Sequence, residues 1–255
     1  MDVILTAGGT PTPEDPLFPY CNGLPKAMIP IGDKPMIQWV LDALATAKSI
    51  ERIVLIGLAD DMQVNYPREM VRIEDQGNMV ENIIAGANTL LSFPQPSQYA
   101  LIAASDVPAV TPEAIDWVSE QTIKAKKDLI YTVVAQPVME KRFPESKRSY
   151  IPLKDMKVCG GDINAICVPN VNYDNPMWRK LINARKNALK QASLLGFDTL
   201  LLILLRAITL AQTEKRVCKR LEVNGLVLPS PYAEIAMDVD KPGQLEILKN
   251  DLLKQ

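Results

Sequence analysis

The chain has 255 residues, 47% hydrophobic and 23% charged, a composition suited to a globular fold with a substantial buried core. A net charge of −2 lacks the basic excess of a nucleic-acid-binding protein, and the absence of histidine excludes Ser-His-Asp triads, histidine acid–base chemistry and histidine-containing zinc sites.

Up to residue 135, short β-like runs alternate with helical patterns. Apolar or β-branched runs at 3–7, 52–58, 99–104 and 129–135 predict strands. Helical patterns are expected at 35–48, 79–92 and 112–126. The third opens on Thr111-Pro112-Glu113, an N-cap followed by proline and an acid in the first turn. Such alternation implies right-handed βαβ units and a mainly parallel sheet.

From 136 to 175 the rhythm breaks. Residues 139–149 read as a charged loop, 148–153 and 156–159 as a strand pair, and 163–168 as a further strand after Gly160-Gly161-Asp162. Residues 176–220 read as two or three helices with a break near Gly196. Strand-like runs at 222–228 and 234–239 precede a last helix at 242–253. The expected organisation is one unit in three parts: a nucleotide-binding half at 1–135, an acceptor-side β insertion with a helical segment at 136–233, and a closing strand and helix at 234–255.

The most apolar run, 194–205, is interrupted by Asp198 well short of the ~20 residues of a spanning helix. It is expected to be buried, to pair two copies of the chain as a homodimer, or to rest weakly on a membrane surface. No charged region, apolar stretch and cleavage site open the chain, so a cytoplasmic protein with free thiols at Cys21, Cys159, Cys167 and Cys218 is expected.

The chemistry-bearing residues begin at the first strand. Ala7-Gly8-Gly9-Thr10 forms a turn where backbone N–H groups can approach a ligand, and Lys26 returns beyond a proline-rich loop. The glycines are neither a G-x-G-x-x-G nor a Walker A loop. Asp106 follows the strand at 99–104, where ligands of open α/β sheets bind, although an aspartate there also serves as a turn or cap residue. Alternation would put Asp238 and Asp240 on one side of a strand; Asp240 also reads as a cap for the last helix. Gln76, Gly77 and Asn78 precede the helix at 79–92, where amides serve equally as caps or as readers of a base edge.

Ala7-Gly8-Gly9-Thr10, then Pro25-Lys26-Ala27-Met28-Ile29-Pro30-Ile31-Gly32-Asp33-Lys34-Pro35-Met36-Ile37 and a following helix, resemble the start of GT-A-like nucleotidyltransferases. That superfamily includes sugar-nucleotide pyrophosphorylases and MobA-like molybdenum-cofactor guanylyltransferases. The resemblance covers residues 1–130 and 234–253. It implies a three-layer α/β/α Rossmann-like fold with a mostly parallel sheet, a small β insertion and a helical C-terminal part. It further implies an NTP bound by Ala7, Gly8, Gly9 and Thr10, Lys26 on its phosphates, and a base read by Gln76, Gly77 and Asn78. Mg²⁺ would be held by Asp106 and Asp240, with Asp238 behind them. Gly161, Asp162 and Asn164 would lie over a small phosphorylated acceptor, such as a sugar phosphate.

The family's arginine after the glycines has no counterpart in the stretch 10–20, which holds prolines and acids; Arg142, Lys147 and Arg148 are its candidate replacements. Two other functions share the fold: a nucleotide-binding regulator without catalysis, and a glycosyltransferase.

Overall fold

The computed structural model describes residues 1–184 and 188–254. In chain order the elements are β1 (Asp2–Thr6), α1 (Phe18–Cys21), β2 (Pro30–Ile31), β3 (Lys34–Pro35), α2 (Met36–Thr46), β4 (Ile53–Ile56), β5 (Met70–Ile73) and α3 (Met79–Leu91). There follow β6 (Tyr99–Ala104), α4 (Pro112–Ala125), β7 (Leu129–Ala135), α5 (Gln136–Arg142), β8 (Ile151–Pro152), β9 (Lys157–Gly160) and β10 (Ile163–Cys167). The chain closes with α6 (Pro176–Ala184), α7 (Ala188–Leu195), α8 (Phe197–Leu204), α9 (Leu210–Leu221), β11 (Gly225–Ser230) and α10 (Pro242–Leu252).

The main sheet runs β5-β4-β1-β6-β10-β7-β9-β8. Its first four strands are parallel, β10 is antiparallel to both β6 and β7, and β11 runs parallel to β7 on that strand's other edge. Burial on both faces explains the unbroken apolar run of β1: Val3 and Leu5 join the core beneath α2, α4 and α10, while Ile4 joins the core beneath α3 and α6. Helix α2 buries Met36, Ile37, Val40, Leu41 and Leu44, one stripe at helical spacing. Helix α4 starts where its cap residues place it, with Thr111 Oγ1 accepting from Ala114 N at 3.2 Å. The architecture is thus Rossmann-like, a largely parallel sheet between two helical layers.

Two expectations need correction. Residues 234–239 form no strand: Ala233–Ala236 is a 3-10 turn and the chain then runs extended. Its backbone bonds go to loops rather than to a ladder, Ile235 O accepting from Asp162 N and Val239 N donating to Asp106 O. The charged stretch at 139–149 begins inside α5, with proline in its first turn and Lys141 and Arg142 in its last. Among the described residues the stretch 176–220 is helical as expected, in α6, α7, α8 and α9, with the expected break between α7 and α8 at Gly196 (φ +90°); residues 185–187 lie outside the described residues.

Helix α8 packs Thr199 inward and leaves Phe197, Leu201 and Leu204 exposed, with Leu205 exposed just beyond it. Among the described residues no helix is long and apolar enough to cross a membrane.

Candidate functional site

The site lies beyond the carboxyl ends of β1, β4, β5 and β6, where loops from neighbouring strands converge. The turn after β1 meets the turn after β4 backbone to backbone. A Cβ on Gly57 (φ +84°) would stand 2.6 Å from Gly8 Cα and 2.8 Å from Gly8 N, so only glycine lets the two turns touch. Asp75 packs against Gly8 from the third loop. Its Oδ1 accepts from Gly77 N at 3.2 Å and from Asn82 Nδ2 at 2.7 Å, and Asn82 Oδ1 accepts from Gln76 N at 2.7 Å. This network shapes the loop at the start of α3.

Within that loop the amides are partly engaged. Asn78 Oδ1 caps α3 by accepting from Glu81 N, and Gln76 Nε2 donates to Glu74 O. Gln76 Oε1 and Asn78 Nδ2 are the side-chain groups left for a ligand.

Lys26 is delivered to the same place by the returning loop, its backbone N donating to Gly9 O at 3.1 Å. Its ammonium bridges two acids, donating to Asp106 Oδ2 at 2.7 Å and to Asp240 Oδ1 at 2.9 Å. Burial alone would depress the Lys26 pKa, but the Asp106 and Asp240 carboxylates outweigh it and hold that pKa above its ordinary value. The segment carrying Asp240 is stitched to the loop after β6 by the Val239–Asp106 backbone bond. Asp240 does not cap α10; its backbone N is held by Gln244 Oε1 at 2.9 Å, and Lys241 occupies the cap position.

Asp238 faces the same cluster although no strand is present. Oxygens of Asp106, Asp238 and Asp240 lie within 4.8 Å of one another. Asp238 is ion-paired with Arg148, and Asp106 Oδ1 is buried without a hydrogen-bond partner. An orphaned carboxylate oxygen beside two further acids fits a hard divalent cation such as Mg²⁺, which takes oxygen ligands. Of the three basic residues considered as replacements for the missing loop arginine, Arg148 reaches the cluster. Arg142 is tied to Glu234 and Asp251, and Lys147 is exposed.

The three residues expected over the acceptor separate in role. Asn164 Oδ1 accepts from Thr132 N at 2.8 Å, its Nδ2 donates to Gly161 O at 3.0 Å, and Gly161 N donates to Thr132 O. These groups hold strands together. Asp162 is different: its Oδ2 is buried with no partner. Burial, then the charge of Asp106, raise its pKa to about 7 against the opposing pull of Arg148.

Asp75 opens the loop at 75–78 that the sequence already marked, whereas Gly57 and Asn82 had no sequence signal that singled them out. Their roles follow from which loops and strands become neighbours, although a glycine after a β-branched run does hint at close backbone approach.

Fold and strand-end chemistry define the class: this is an enzyme of the nucleotidyltransferase type. The model of the MobA-like NTP transferase domain matches residues 5–222, and the chain belongs to that family. A hypothetical transferase from Thermus thermophilus is 29% identical, with TM-score 0.79 over 96% of this chain and 98% of that one. The fold also matches 2-C-methyl-D-erythritol 4-phosphate cytidylyltransferase of Thermus thermophilus, at 12% identity and TM-score 0.57 over 100% and 98% of the two chains. Molybdopterin-guanine dinucleotide biosynthesis protein A of Archaeoglobus fulgidus gives 15% identity and TM-score 0.53, each chain covered in full. A search of curated protein sequences finds no match.

Proposed function

We propose that the protein transfers a nucleoside monophosphate from an NTP to a small phosphorylated acceptor, with Mg²⁺ and release of pyrophosphate. The observation carrying this is the Lys26 ammonium held between Asp106 and Asp240 at the mouth of the glycine turn. In this reading the backbone of Ala7, Gly8, Gly9 and Thr10 cradles the triphosphate, and Gln76, Gly77 and Asn78 face the base. Asp106 and Asp240 hold the metal, and Asp238 is kept behind them by Arg148. Bound there, Mg²⁺ would screen phosphate charge and act as a Lewis acid on a phosphoryl oxygen.

A phosphate oxygen of the acceptor attacks the α-phosphorus in line. The new P–O bond forms as the α–β bridging bond breaks, and its electron pair leaves on pyrophosphate. Lys26 offsets the charge that accumulates on the leaving group. Phosphate is already ionised at neutral pH, so the reaction needs no general base and hence no histidine.

The loop at 10–20 lacks a cation, which supports a second reading, a regulator that binds nucleotide without turnover. Pyrophosphate release with ATP, CTP, GTP and UTP across a panel of phosphorylated acceptors separates the two. Turnover with any pair supports the transferase. A melting-temperature rise with NTP and Mg²⁺ but no pyrophosphate from any pair refutes it. Nucleoside diphosphate released from a nucleotide sugar would point instead to glycosyl transfer.

A further inference from the structure

Between α3 and α6, alongside the acid cluster, lies a cavity of about 290 Å³. Met79, Val80 and Ile83 of α3 form one wall and Met177, Trp178 and Leu181 of α6 the other. Thr6 and Ala104, at the ends of β1 and β6, bring its floor up to the glycine turn and the Asp106 loop.

The polar side chains around this space are few, and two of them are engaged within the fold. Thr6 Oγ1 donates to Ala103 O, and both ends of the Asn164 amide bond to the backbone of Thr132 and Gly161. What remains is the Asp162 carboxylate, whose Oδ2 has no partner, the Tyr131 phenol and the Trp178 indole N–H. Tyr131 lies on β7, and Asp162 lies in the turn just before β10. The Asp162 backbone oxygen accepts from Ala104 N at 3.1 Å, two residues before Asp106, so the polar end of the cavity is turned towards the site of transfer.

We propose that this cavity is the acceptor subsite and that it takes a phosphomonoester with an apolar body, an alkyl or alkenyl phosphate rather than a sugar phosphate. This rests on the transferase reading and narrows its small phosphorylated acceptor, a sugar phosphate or similar compound, to an apolar one. The acceptor's phosphate lies towards Lys26 and Asp106, and its hydrocarbon lies between the two helices. At ~30 Å³ per water-sized group, the cavity holds about ten non-hydrogen atoms. A sugar seated there would bring several hydroxyls against methyl and thioether groups. Each one left unpaired weakens binding about five- to a hundredfold. Asp162, Tyr131 and Trp178 provide for one or two polar groups, not for a ring of hydroxyls. Transfer joins the alkyl phosphate oxygen to the α-phosphorus and expels pyrophosphate, giving a nucleoside diphosphate alkyl ester.

The test is calorimetric titration of ethyl, pentyl and octyl phosphate and of ribose 5-phosphate. Mg²⁺ is present, together with the α,β-methylene analogue of the NTP giving the largest melting shift. Affinity should rise about fourfold per methylene until the cavity is full, and ribose 5-phosphate should bind at least tenfold more weakly than pentyl phosphate. Leu181→Trp or Ala104→Leu, which fill the cavity from different sides, should each weaken pentyl phosphate at least tenfold and leave the NTP melting shift intact. Equal affinity for ethyl and pentyl phosphate, no binding of any alkyl phosphate, or tighter binding of the sugar phosphate overturns the inference. So does loss of the NTP shift in Leu181→Trp, which would assign the cavity to the nucleotide. Pyrophosphate release is followed in parallel. Turnover of sugar phosphates alone removes the apolar subsite and keeps the transferase. Chain-length-dependent binding with no pyrophosphate from any NTP does the reverse.

Discussion

Replacing Asp162 by asparagine should make the metal-free protein more stable, and by an amount that depends on pH. Asp162 is buried, its Oδ2 has no partner, and burial raises its pKa to about 7 from an ordinary 3.8. A carboxyl whose folded pKa exceeds its unfolded one binds its proton more tightly in the native state. Below the unfolded pKa it contributes no penalty. Between the two values the unfolded chain ionises first, and stability falls by about 1.36 kcal/mol per pH unit. Above pH 7 the penalty levels off, at a ceiling of about 4 kcal/mol for the interval of about three pH units between the two values. Asparagine keeps the shape and cannot ionise, but its own buried amide costs about 1–3 kcal/mol if unpaired. The net gain at pH 8 should be about 1–3 kcal/mol, or roughly 2–10 °C for a chain of this length, shrinking towards zero or below at pH 4. Urea or thermal unfolding in EDTA at pH 4, 6 and 8 measures it. If the variant keeps the wild-type pH slope and gains nothing at pH 8, the carboxylate is not strained by burial and the reasoning fails.

Lys26→Ala should cut pyrophosphate release about 10²–10³-fold, the scale for losing one preorganised charge at a developing anion; a loss under tenfold would remove Lys26 from the transfer step. Gly57→Ala should lower unfolding free energy by at least about 1–2 kcal/mol, since its φ is left-handed and its Cβ meets the Gly8 backbone. Its NTP melting shift should shrink as well, so a wild-type urea curve would contradict the close approach of the two turns. Arg148→Met leaves Asp238 buried without its cation and should cost about 3–5 kcal/mol; adding Asp238→Asn should recover most of that, and no recovery would mean the pair is not coupled. Removing divalent cations with EDTA should abolish pyrophosphate release and reduce the NTP melting shift, both returning with Mg²⁺.

Much of the layout was legible because it depends on local pattern. The predicted runs at 99–104 and 129–135 coincide with β6 and β7, α4 begins at the predicted cap Thr111, and α3 begins at the predicted Met79, with Asn78, open between cap and base reader in the sequence, as its cap. Strand β5 escaped notice because it is a four-residue, half-buried edge strand containing Arg72, with no alternation strong enough to mark it. The segment at 234–239 misled for the opposite reason. Its alternating sequence suits a strand, but its backbone partners are the Asp162 and Asp106 loops, which no local pattern identifies.

By itself the sequence determined the alternating elements, the glycine turn after β1, and which residue types the chain offers at its strand ends, since each is written in a few consecutive side chains. Tertiary structure alone decided that Lys26 reaches Asp106 and Asp240, 80 and 214 residues away, because crossover connections bring those loops to one end of the sheet. It also decided which polar groups remain free. Asn164 and Asp162 stand two residues apart and look alike as acceptor ligands, yet the neighbouring β7 strand engages one and leaves the other unpaired beside an apolar cavity. The glycine turn could be found in the sequence from its own residues, whereas its partner Gly57 emerged only when β1 and β4 lay side by side.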